Sequence, residues 1–316
     1  MTAVVPACGF GHGKVIIVGE HAVVHGHAAI AAGLSVGVTI DATPGEGRLR
    51  VPAWSLEARA GDGSDVGRAL AALLARLDAG GLDFTGEAKV PSRAGVGSSA
   101  ALAVALARAA ARATGQADDV ARINAAVTAA EGVFHGTPSG IDAAAATSGA
   151  VGRFTRAEGW RPISVLQPMT FCVGLSGRPR DTASQVGAVA RLRERLPAAD
   201  GVLALLGRLA DDAQAALARG DVDGLGRIMD TAHGLLAALR VSSPELDTLV
   251  HAARAAGAVG AKLTGAGGGG AVIALAPGHE RDVLARWRAA GFEGFTADIA
   301  ATEPASKIPS RAGGHA

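Results

Sequence analysis

The sequence predicts an α+β protein made of two domains, and two observations lead to that fold class. The chain has 316 residues, of which 49% are hydrophobic, so it is long and apolar enough to bury two cores of ordinary size. Its second half reads as strand, helix, strand, strand, helix and strand, which is the split β-α-β-β-α-β order of a ferredoxin-like domain. We therefore expect an N-terminal domain over 1–160, a C-terminal domain over 161–300 and a flexible tail over 301–316.

Hydrophobic periodicity defines the elements of the first half. Alternating or β-branched apolar residues predict strands over 13–19, 34–54 and 84–90. Apolar residues at helical spacing predict helices over 63–79, 98–113 and 118–133. We expect the turn at 44–47 to close a hairpin, Asp118 to cap the third helix, and residues 153–168 to connect the two domains.

The second half is read in the same way. Strands are predicted over 171–175, 258–263, 271–275 and 294–299. Helices are predicted between the first two of these strands, through residue 256, and again over 280–290. Ser243 and Pro244 supply the N-cap and the first-turn proline of the helix that Gly257 ends. The two central strands form a hairpin around a glycine-rich turn.

Composition excludes several classes of protein. The net charge is +1 without a basic block, which argues against a nucleic-acid surface. The sequence has no run of about 18 uncharged apolar residues, so no membrane span is predicted, and the N-terminus lacks the pattern of an export signal. Only Cys8 and Cys172 occur, so neither a disulfide framework nor a cysteine metal site is expected. We expect a cytoplasmic protein.

Residues 91–100, here called the phosphate loop, predict an anion site. Gly95 and Gly97 let the backbone approach a ligand, and Ser98 and Ser99 stand where a helix begins. The first turn of a helix has free N–H groups and a partial positive charge, so it holds a phosphate without a cationic side chain. The serine hydroxyls can also reach a Mg²⁺ on nucleotide phosphates. No lysine follows Gly97, so the Walker pattern is absent, and an ordinary strand-to-helix joint is the alternative interpretation.

Polar residues gather around the first predicted strand. Lys14 stands at its start, and Glu20, His21, His25 and His27 follow its end. A lone histidine beside an apolar run is usually structural, and a histidine metal site is a further alternative. A lysine, a glutamate and a histidine around one strand nevertheless favour a binding site. Only four lysines occur in the chain, so a lysine at this position is a candidate for a role that arginine does not fill.

Two further segments carry candidate functional groups. Glu131 and Asp142 stand at the two ends of a stretch in which glycine and proline disfavour a helix. The alternative interpretation is that both are solvated acidic residues of a loop. Residues 264–270 contain more glycine than a tight turn requires, and each extra glycine costs roughly 0.5–1 kcal/mol of ordering. That excess predicts backbone contact with a ligand or with the phosphate loop.

Four segments together resemble the GHMP kinase superfamily and, within it, the mevalonate kinase family. They are Gly-Lys-Val-Ile-Ile-Val-Gly-Glu-His-Ala-Val-Val-His-Gly at 13–26, Gly-Val-Gly-Ser-Ser-Ala-Ala at 95–101, Gly-Thr-Pro-Ser-Gly-Ile-Asp at 136–142 and Lys-Leu-Thr-Gly-Ala-Gly-Gly-Gly-Gly at 262–270. The segment Glu-His-Ala-Val-Val-His-Gly at 20–26 is the most specific part of this resemblance. The resemblance implies an N-terminal domain like ribosomal protein S5 domain 2 and a ferredoxin-like C-terminal domain.

The same resemblance implies ATP- and Mg²⁺-dependent phosphorylation of the 5-hydroxyl of mevalonate, a step of isoprenoid precursor synthesis. It implies that Asp142 is the base beside Lys14, and that Ser99, with Ser98 as a second candidate, holds Mg²⁺ together with Glu131. The residues implied to orient mevalonate are Glu20, His21 and Thr182. Those implied to contact the nucleotide are Gly95, Val96, Gly97, Ser98, Ser99, Ala100, Gly267 and Gly268.

One departure from the family pattern precedes the first strand. The family has Ala-Pro-Gly-Lys where this chain has Gly-His-Gly-Lys at 11–14. Loss of the proline is expected to loosen the approach to the strand on the nucleotide side while keeping Lys14.

Several alternatives remain open from the sequence. Another GHMP enzyme is one, either a phosphomevalonate kinase, a mevalonate diphosphate decarboxylase, or a sugar or homoserine kinase, and Arg178 and Arg180 are candidate ligands for a phosphorylated substrate. A non-catalytic ATP-binding sensor is another, which the joint presence of Lys14, Glu131 and Asp142 opposes. A homodimer is compatible with the Ala-rich helices.

Overall fold

The computed structural model describes residues 5–135, 140–179 and 181–302. The predicted loop residues 136–139, Arg180 and nearly all of the predicted tail therefore lie outside the described residues. In the part of the chain that is described, no helix is both long and apolar enough to cross a bilayer. The cytoplasmic location and the homodimer remain predictions.

A seven-stranded sheet is built from the first half of the chain. Its strands are β1 (Ala7–Val18), β2 (Ala29–Pro44), β3 (Arg48–Val51), β4 (Leu56–Arg59), β5 (Leu82–Ala88), β6 (Val151–Thr155) and β7 (Gly159–Pro162). The long strand β2 is central, because it pairs with β1, with β6 near its start and with β5 near its end. All of these pairings are antiparallel, so β1 is fixed along most of its length.

The predicted hairpin over residues 34–54 is wrong. Strand β5 lies between β2 and β3, antiparallel to the first and parallel to the second. The turn between β2 and β3 is tied to β5 instead, because Asp83 Oδ1 accepts hydrogen bonds from the peptide nitrogens of Glu46 at 2.7 Å and Arg48 at 2.9 Å. A distant strand therefore competes successfully with the local pairing.

Helices α1 (Asp65–Arg76), α2 (Ser98–Ala113), α3 (Val120–His135) and α4 (Ile141–Ser148) belong to the same half. The alanines of α2 are used for close packing on β1. A Cβ atom on Gly9 would lie 2.2 Å from the carbonyl oxygen of Ala105, and one on Gly11 would lie 2.0 Å from that of Ala101. The small residues of both elements thus let β1 and α2 approach backbone to backbone.

Two predictions at element boundaries need correction. Asp119, and not Asp118, lies at the start of α3, where its Oδ1 accepts from the nitrogen of Ala121 at 3.0 Å. Asp118 instead pairs with Arg108 and Arg112 on α2. Residues 153–168 are not merely a connection, since β6 and β7 form a hairpin within the first sheet. The domain boundary near residue 160 remains a prediction.

A four-stranded antiparallel sheet is built from the second half. Its strands β8 (Met169–Leu175), β9 (Gly260–Thr264), β10 (Ala271–Leu275) and β11 (Glu293–Ile299) lie in the order β11-β8-β10-β9. The helices are α5 (Thr182–Arg195), α6 (Ala198–Arg219), α7 (Val222–Ala238), α8 (Pro244–Ala255) and α9 (Glu280–Ala289). This order is the predicted split β-α-β-β-α-β arrangement, with additional helices between β8 and β9.

Candidate active site

The centre of the candidate site is an ion pair between Lys14 and Asp142. Lys14 lies on β1, and its Nζ is 2.7 Å from Asp142 Oδ1. The lysine side chain is only 1% exposed, whereas that of Asp142 is 34% exposed. A buried ammonium needs a carboxylate partner. The arrangement therefore keeps the cation dry while part of the carboxylate remains accessible to a small molecule.

Asp142 is positioned by the short helix α4. Gly140, at φ 83, starts the helix and places Asp142 in its first turn. The neighbouring Ile141 is buried in a small apolar cluster that includes Ile16 and Phe154, so the helix is seated on the first sheet. Farther along, Thr147 Oγ1 donates to Asn124 Oδ1 at 2.9 Å and joins α4 to α3. The carboxylate is thus held by a helix that is fixed at both ends.

The phosphate loop lies directly against Lys14. The peptide nitrogen of Lys14 donates to the carbonyl of Val96 at 2.8 Å. Gly97 has φ 75, and a Cβ atom there would lie 2.5 Å from Lys14 Cγ. Helix α2 begins at Ser98, and no side chain caps the N–H groups of its first turn. The predicted start of this helix is confirmed.

The two serines of the loop differ in exposure. Ser98 is buried, with 8% of its surface exposed, whereas Ser99 is exposed. Of the two hydroxyls, that of Ser99 is the one that a ligand reaches without rearrangement. The exposure therefore favours Ser99 as the predicted metal ligand.

Glu131, on α3, completes this part of the site. It is 8% exposed, and burial, assisted by the negative charge of Asp142 and opposed by Lys14, raises its pKa to about 7. Both of these charges therefore lie within electrostatic range of Glu131. The structure thus brings together Lys14, Glu131, Asp142 and the start of α2, which the sequence places in separate segments.

The donor set fits Mg²⁺ better than a softer metal. Its protein members are the carboxylate of Glu131 and the hydroxyl of Ser99, which are hard oxygen ligands of the kind that Mg²⁺ uses together with phosphates. A cation beside Glu131 would also favour the ionised form that burial disfavours. Among the described residues, no group of three or more His, Cys, Asp and Glu side chains could hold a metal on its own.

Within the described ranges, His21, His25 and His27 do not form a group that could hold a metal ion, which was the alternative interpretation. His21 Nε2 lies 2.9 Å from the carbonyl oxygen of Ala266, and His25 Nδ1 lies 2.9 Å from Arg193 Nη1. Burial lowers the pKa of both histidines. Burial thus favours the neutral form of each ring, and each ring contacts the second half of the chain.

Glu20 lies at the end of β1 in a buried ion pair that the sequence did not indicate. Its Oε1 contacts Lys262 Nζ, and the side chains of both residues are at most 1% exposed. Nearby, Ile16 donates to Thr264 Oγ1 at 2.8 Å, so β9 is attached to β1 by two residues. Lys262 was visible in the sequence as one of only four lysines, but nothing local indicated its partner.

Thr182, Gly267 and Gly268 are the remaining predicted site residues. Thr182 is exposed at the first position of α5, and within the described residues its hydroxyl makes no hydrogen bond. A Cβ atom on Gly267 would lie 2.0 Å from the carbonyl oxygen of Val241, and one on Gly268 would lie 2.3 Å from Gln185 Nε2. Close packing within the protein therefore explains these glycines, and nucleotide contact at Gly267 and Gly268 remains a prediction.

Comparison with known sequences gives matches over most of the chain. The family model for the GHMP kinases N terminal domain matches residues 64–150, and that for GHMP kinases C terminal matches residues 213–293. The mevalonate kinase of Pyrococcus horikoshii is 33% identical and covers 88% of this chain and 91% of its own length. That of Aeropyrum pernix is 35% identical, with 83% and 86% covered.

Comparison with solved structures agrees with the sequence matches. The crystal structure of L. major mevalonate kinase in complex with R-mevalonate has a TM-score of 0.84 and 29% identity, and the match covers 96% of this chain and 99% of that one. Lactococcus lactis galactokinase complexed with galactose has a TM-score of 0.73 and 18% identity over 94% of both chains. The second likeness is one of fold alone, because this fold carries more than one substrate specificity.

Proposed function

The chain belongs to the mevalonate kinase family of the GHMP kinases, and we propose that it transfers the γ-phosphoryl group of ATP to the 5-hydroxyl of mevalonate, giving 5-phosphomevalonate and ADP. The observation that carries this proposal is the 2.7 Å ion pair between Lys14 and Asp142 beside the uncapped start of α2. Phosphoryl transfer requires an aligned hydroxyl, neutralisation of charge and little covalent chemistry from the protein. The site supplies these parts.

Asp142 is proposed to act on the substrate hydroxyl. Its carboxylate accepts the proton of the 5-hydroxyl while the substrate oxygen forms a bond to the γ-phosphorus and the bond to the β-phosphate oxygen breaks. Lys14 favours the ionised carboxylate before the reaction and balances negative charge during it. The partial exposure of Asp142 supports this role, because a substrate hydroxyl can reach its carboxylate without a rearrangement of the protein.

The phosphate loop is proposed to hold the nucleotide. The first N–H groups of α2 and the positive end of its dipole would bind phosphate oxygens. Gly95, Val96, Gly97, Ser98 and Ala100 would provide the backbone approach. Mg²⁺ supplies charge neutralisation on the phosphates when it is bound, and Ser99 and Glu131 are the residues that would hold it.

Glu20, His21 and Thr182 are proposed to orient the alcohol. The first two directly follow β1, the strand that carries Lys14. His21 has φ 60, an unusual value for a residue with a side chain. Strain of this kind is often retained at binding sites, which supports a functional role for the turn.

A panel of candidate substrates tests the proposal directly. The protein is incubated with ATP and Mg²⁺ together with mevalonate, phosphomevalonate, galactose or homoserine, and ADP release is measured for each. We expect mevalonate to have the highest kcat/KM. A preference for another compound would assign the protein to a different GHMP activity, and ATP binding without ADP release for any of them would favour a sensor.

A further inference from the structure

We propose that Lys262 is a positioning residue for the alcohol substrate. It holds the carboxylate of Glu20 ionised and occupies one of its two oxygens, so that the other oxygen accepts a hydrogen bond from a substrate hydroxyl. The inference rests on the proposed function and extends it to a residue that takes no part in the scheme above.

Strand β9 directs Lys262 toward β1. Side chains two positions apart on a strand share a face, and Lys262 and Thr264 both contact β1. Thr264 Oγ1 accepts from the nitrogen of Ile16 at 2.8 Å and donates to its carbonyl at 3.1 Å. Leu263, between them, contacts His233 on α7 through its peptide nitrogen at 3.4 Å. The ammonium of Lys262 is therefore aimed at the end of the strand that carries Lys14.

The ammonium of Lys262 has all of its hydrogen-bond partners. Its Nζ donates to Glu20 Oε1, to the carbonyl of Leu263 at 2.6 Å and to that of Ile16 at 3.4 Å. A lysine ammonium has three donors, so three acceptors satisfy it. Its side chain is 0% exposed. The cation is thus fixed in one place and has no donor left for a ligand.

The carboxylate of Glu20 is satisfied on one side only. Among the described residues, no donor forms a hydrogen bond of normal geometry with the buried Glu20 Oε2, and the peptide groups of Glu20 and Gly265 act on the carboxylate from outside that geometry. Burial raises the pKa of Glu20, while the charge of Lys262 and the peptide groups of Glu20 and Gly265 oppose that rise. Buried polar atoms without a partner are rare in proteins. A pair with a purely structural role would be expected to satisfy both ions, so the asymmetry indicates a missing donor.

The surrounding charges indicate the chemistry of that donor. An ionised carboxylate only accepts hydrogen bonds, so the ligand has to bring an N–H or an O–H group. Burial lowers the pKa of Lys262, and the positive charge of Lys14 adds to that effect. A cationic ligand would add a third positive charge there, whereas a neutral hydroxyl would not. The geometry therefore favours an alcohol that has a hydroxyl in addition to the one that is phosphorylated.

Access to Oε2 requires the residues that cover it to move. The adjoining residue His21 is held at φ 60 and ψ −45, a conformation that persists only where its surroundings impose it. Its ring contacts the carbonyl of Ala266 in the glycine-rich turn.

The decisive experiment removes the cation and follows the pH dependence. In Lys262→Met, Glu20 loses the partner that keeps it ionised, so we expect KM for mevalonate to rise about tenfold to hundredfold near neutral pH. The KM for ATP should stay unchanged. Raising the pH should restore part of the affinity for mevalonate as Glu20 ionises, and the double variant Glu20→Gln/Lys262→Met should show no such recovery.

The other titratable groups near Glu20 are Lys14 on β1, His21 on the following turn and His233 on α7. Lys14 is also present in the double variant, so an effect of its charge would appear there as well. Burial lowers the pKa of both histidines, to about 4 for His233, so neither changes charge in the alkaline range. Arg68→Met is the matched control, because it removes the cation of an exposed ion pair with Asp65 on α1. Its KM for mevalonate should equal that of the wild type.

Three results would overturn the proposal: an unchanged KM for mevalonate in Lys262→Met, a defect that is the same at every pH, or alkaline recovery in the double variant as well. If Lys262→Met does not fold, the double variant, which leaves no unpaired charge at positions 20 and 262, supplies the test, and a wild-type KM there would equally overturn the proposal. If the wild type prefers another alcohol of the panel, the substrate assignment fails. The same variants then test Lys262 with that alcohol.

Discussion

The peptide nitrogen of Lys14 donates to the carbonyl oxygen of Val96 at 2.8 Å, which joins the lysine of the ion pair to the phosphate loop through the backbone. Because Lys14 Nζ also contacts Asp142, one residue connects the proposed nucleotide site with the proposed base. The proposed nucleotide site and the proposed base are thereby positioned relative to each other by a strand and two helices, which are rigid elements. Placement of this kind supplies a large part of the rate in phosphoryl transfer.

The first prediction concerns Asp142→Asn. The amide keeps the size of the side chain but cannot accept the proton of the hydroxyl, so we expect kcat to fall about 10²–10⁴-fold. ATP binding should persist, since the first turn of α2 is untouched. Steady-state kinetics and ATP titration measure the two effects. Asp211→Asn, which removes a carboxylate from an exposed pair with Arg153, is the control and should keep kcat. Wild-type turnover in Asp142→Asn would remove that residue from its role.

The second prediction concerns Gly97→Ala. The new Cβ would lie 2.5 Å from Lys14 Cγ, at a residue with φ 75. We expect a loss of about 1–3 kcal/mol in the free energy of unfolding, together with a fall in kcat, because Lys14 has to move. Gly115→Ala is the matched control, since Gly115 has φ 69 with open space around it. Urea unfolding and kinetics of both variants separate backbone strain from displacement of Lys14, and equal effects on kcat would contradict the prediction.

The sequence predicted the parts of this protein that depend on short-range signals. The start and end of α2 follow from the glycines before it and the alanine run within it, and the order of the second sheet follows from the alternation of its elements. The proximity of Lys14 to Asp142 was predicted only through the resemblance of whole motifs, because no local pattern relates β1 to α4. The family motifs therefore predicted a distant contact that hydrophobic periodicity does not predict.

The failures have one physical cause, which is competition from distant segments. Strand β5 lies between β2 and β3, and its Asp83 accepts hydrogen bonds from the turn that precedes β3. Local patterns also did not indicate that the glycines of 267–269 pack against Val241, Gln185 and Arg178, which are remote in sequence, while nucleotide contact at Gly267 and Gly268 stays a prediction. The pair of Lys262 with Glu20 likewise joins β9 to the turn that follows β1. Neither propensity nor spacing reveals which distant group will fill such a position.

The third prediction concerns the pH dependence contributed by Glu131. Its pKa is raised from 4.5 to about 7 in the folded protein, chiefly by burial. Between these two values the folded state holds a proton that the unfolded state has released. This contribution to stability is therefore complete below the unfolded pKa and is lost as the pH rises through about 7. The loss amounts to at most about 3 kcal/mol.

The measurement compares the wild type with Glu131→Gln, which has no proton to lose. We expect the variant to gain stability relative to the wild type as the pH is raised from about 5 to about 8, by up to about 3 kcal/mol in urea unfolding. Its activity should fall, because the proposed Mg²⁺ ligand is gone. Glu87→Gln, at a side chain that is 74% exposed, should show no such trend. A difference that is flat over this range would refute the assignment.

The last prediction concerns the attachment of the second sheet to β1. Thr264 Oγ1 accepts from the nitrogen of Ile16 at 2.8 Å and donates to its carbonyl at 3.1 Å, and all of these groups are buried. Thr264→Val keeps the shape of the side chain but leaves both backbone groups with one partner fewer, so we expect a loss of about 1–3 kcal/mol in the free energy of unfolding. Thr231→Val is the control, because Thr231 bonds only the carbonyl of Arg227 on an exposed helix face. Urea unfolding of both variants decides the matter, and equal losses would show that the contact between β9 and β1 contributes nothing beyond a surface hydrogen bond.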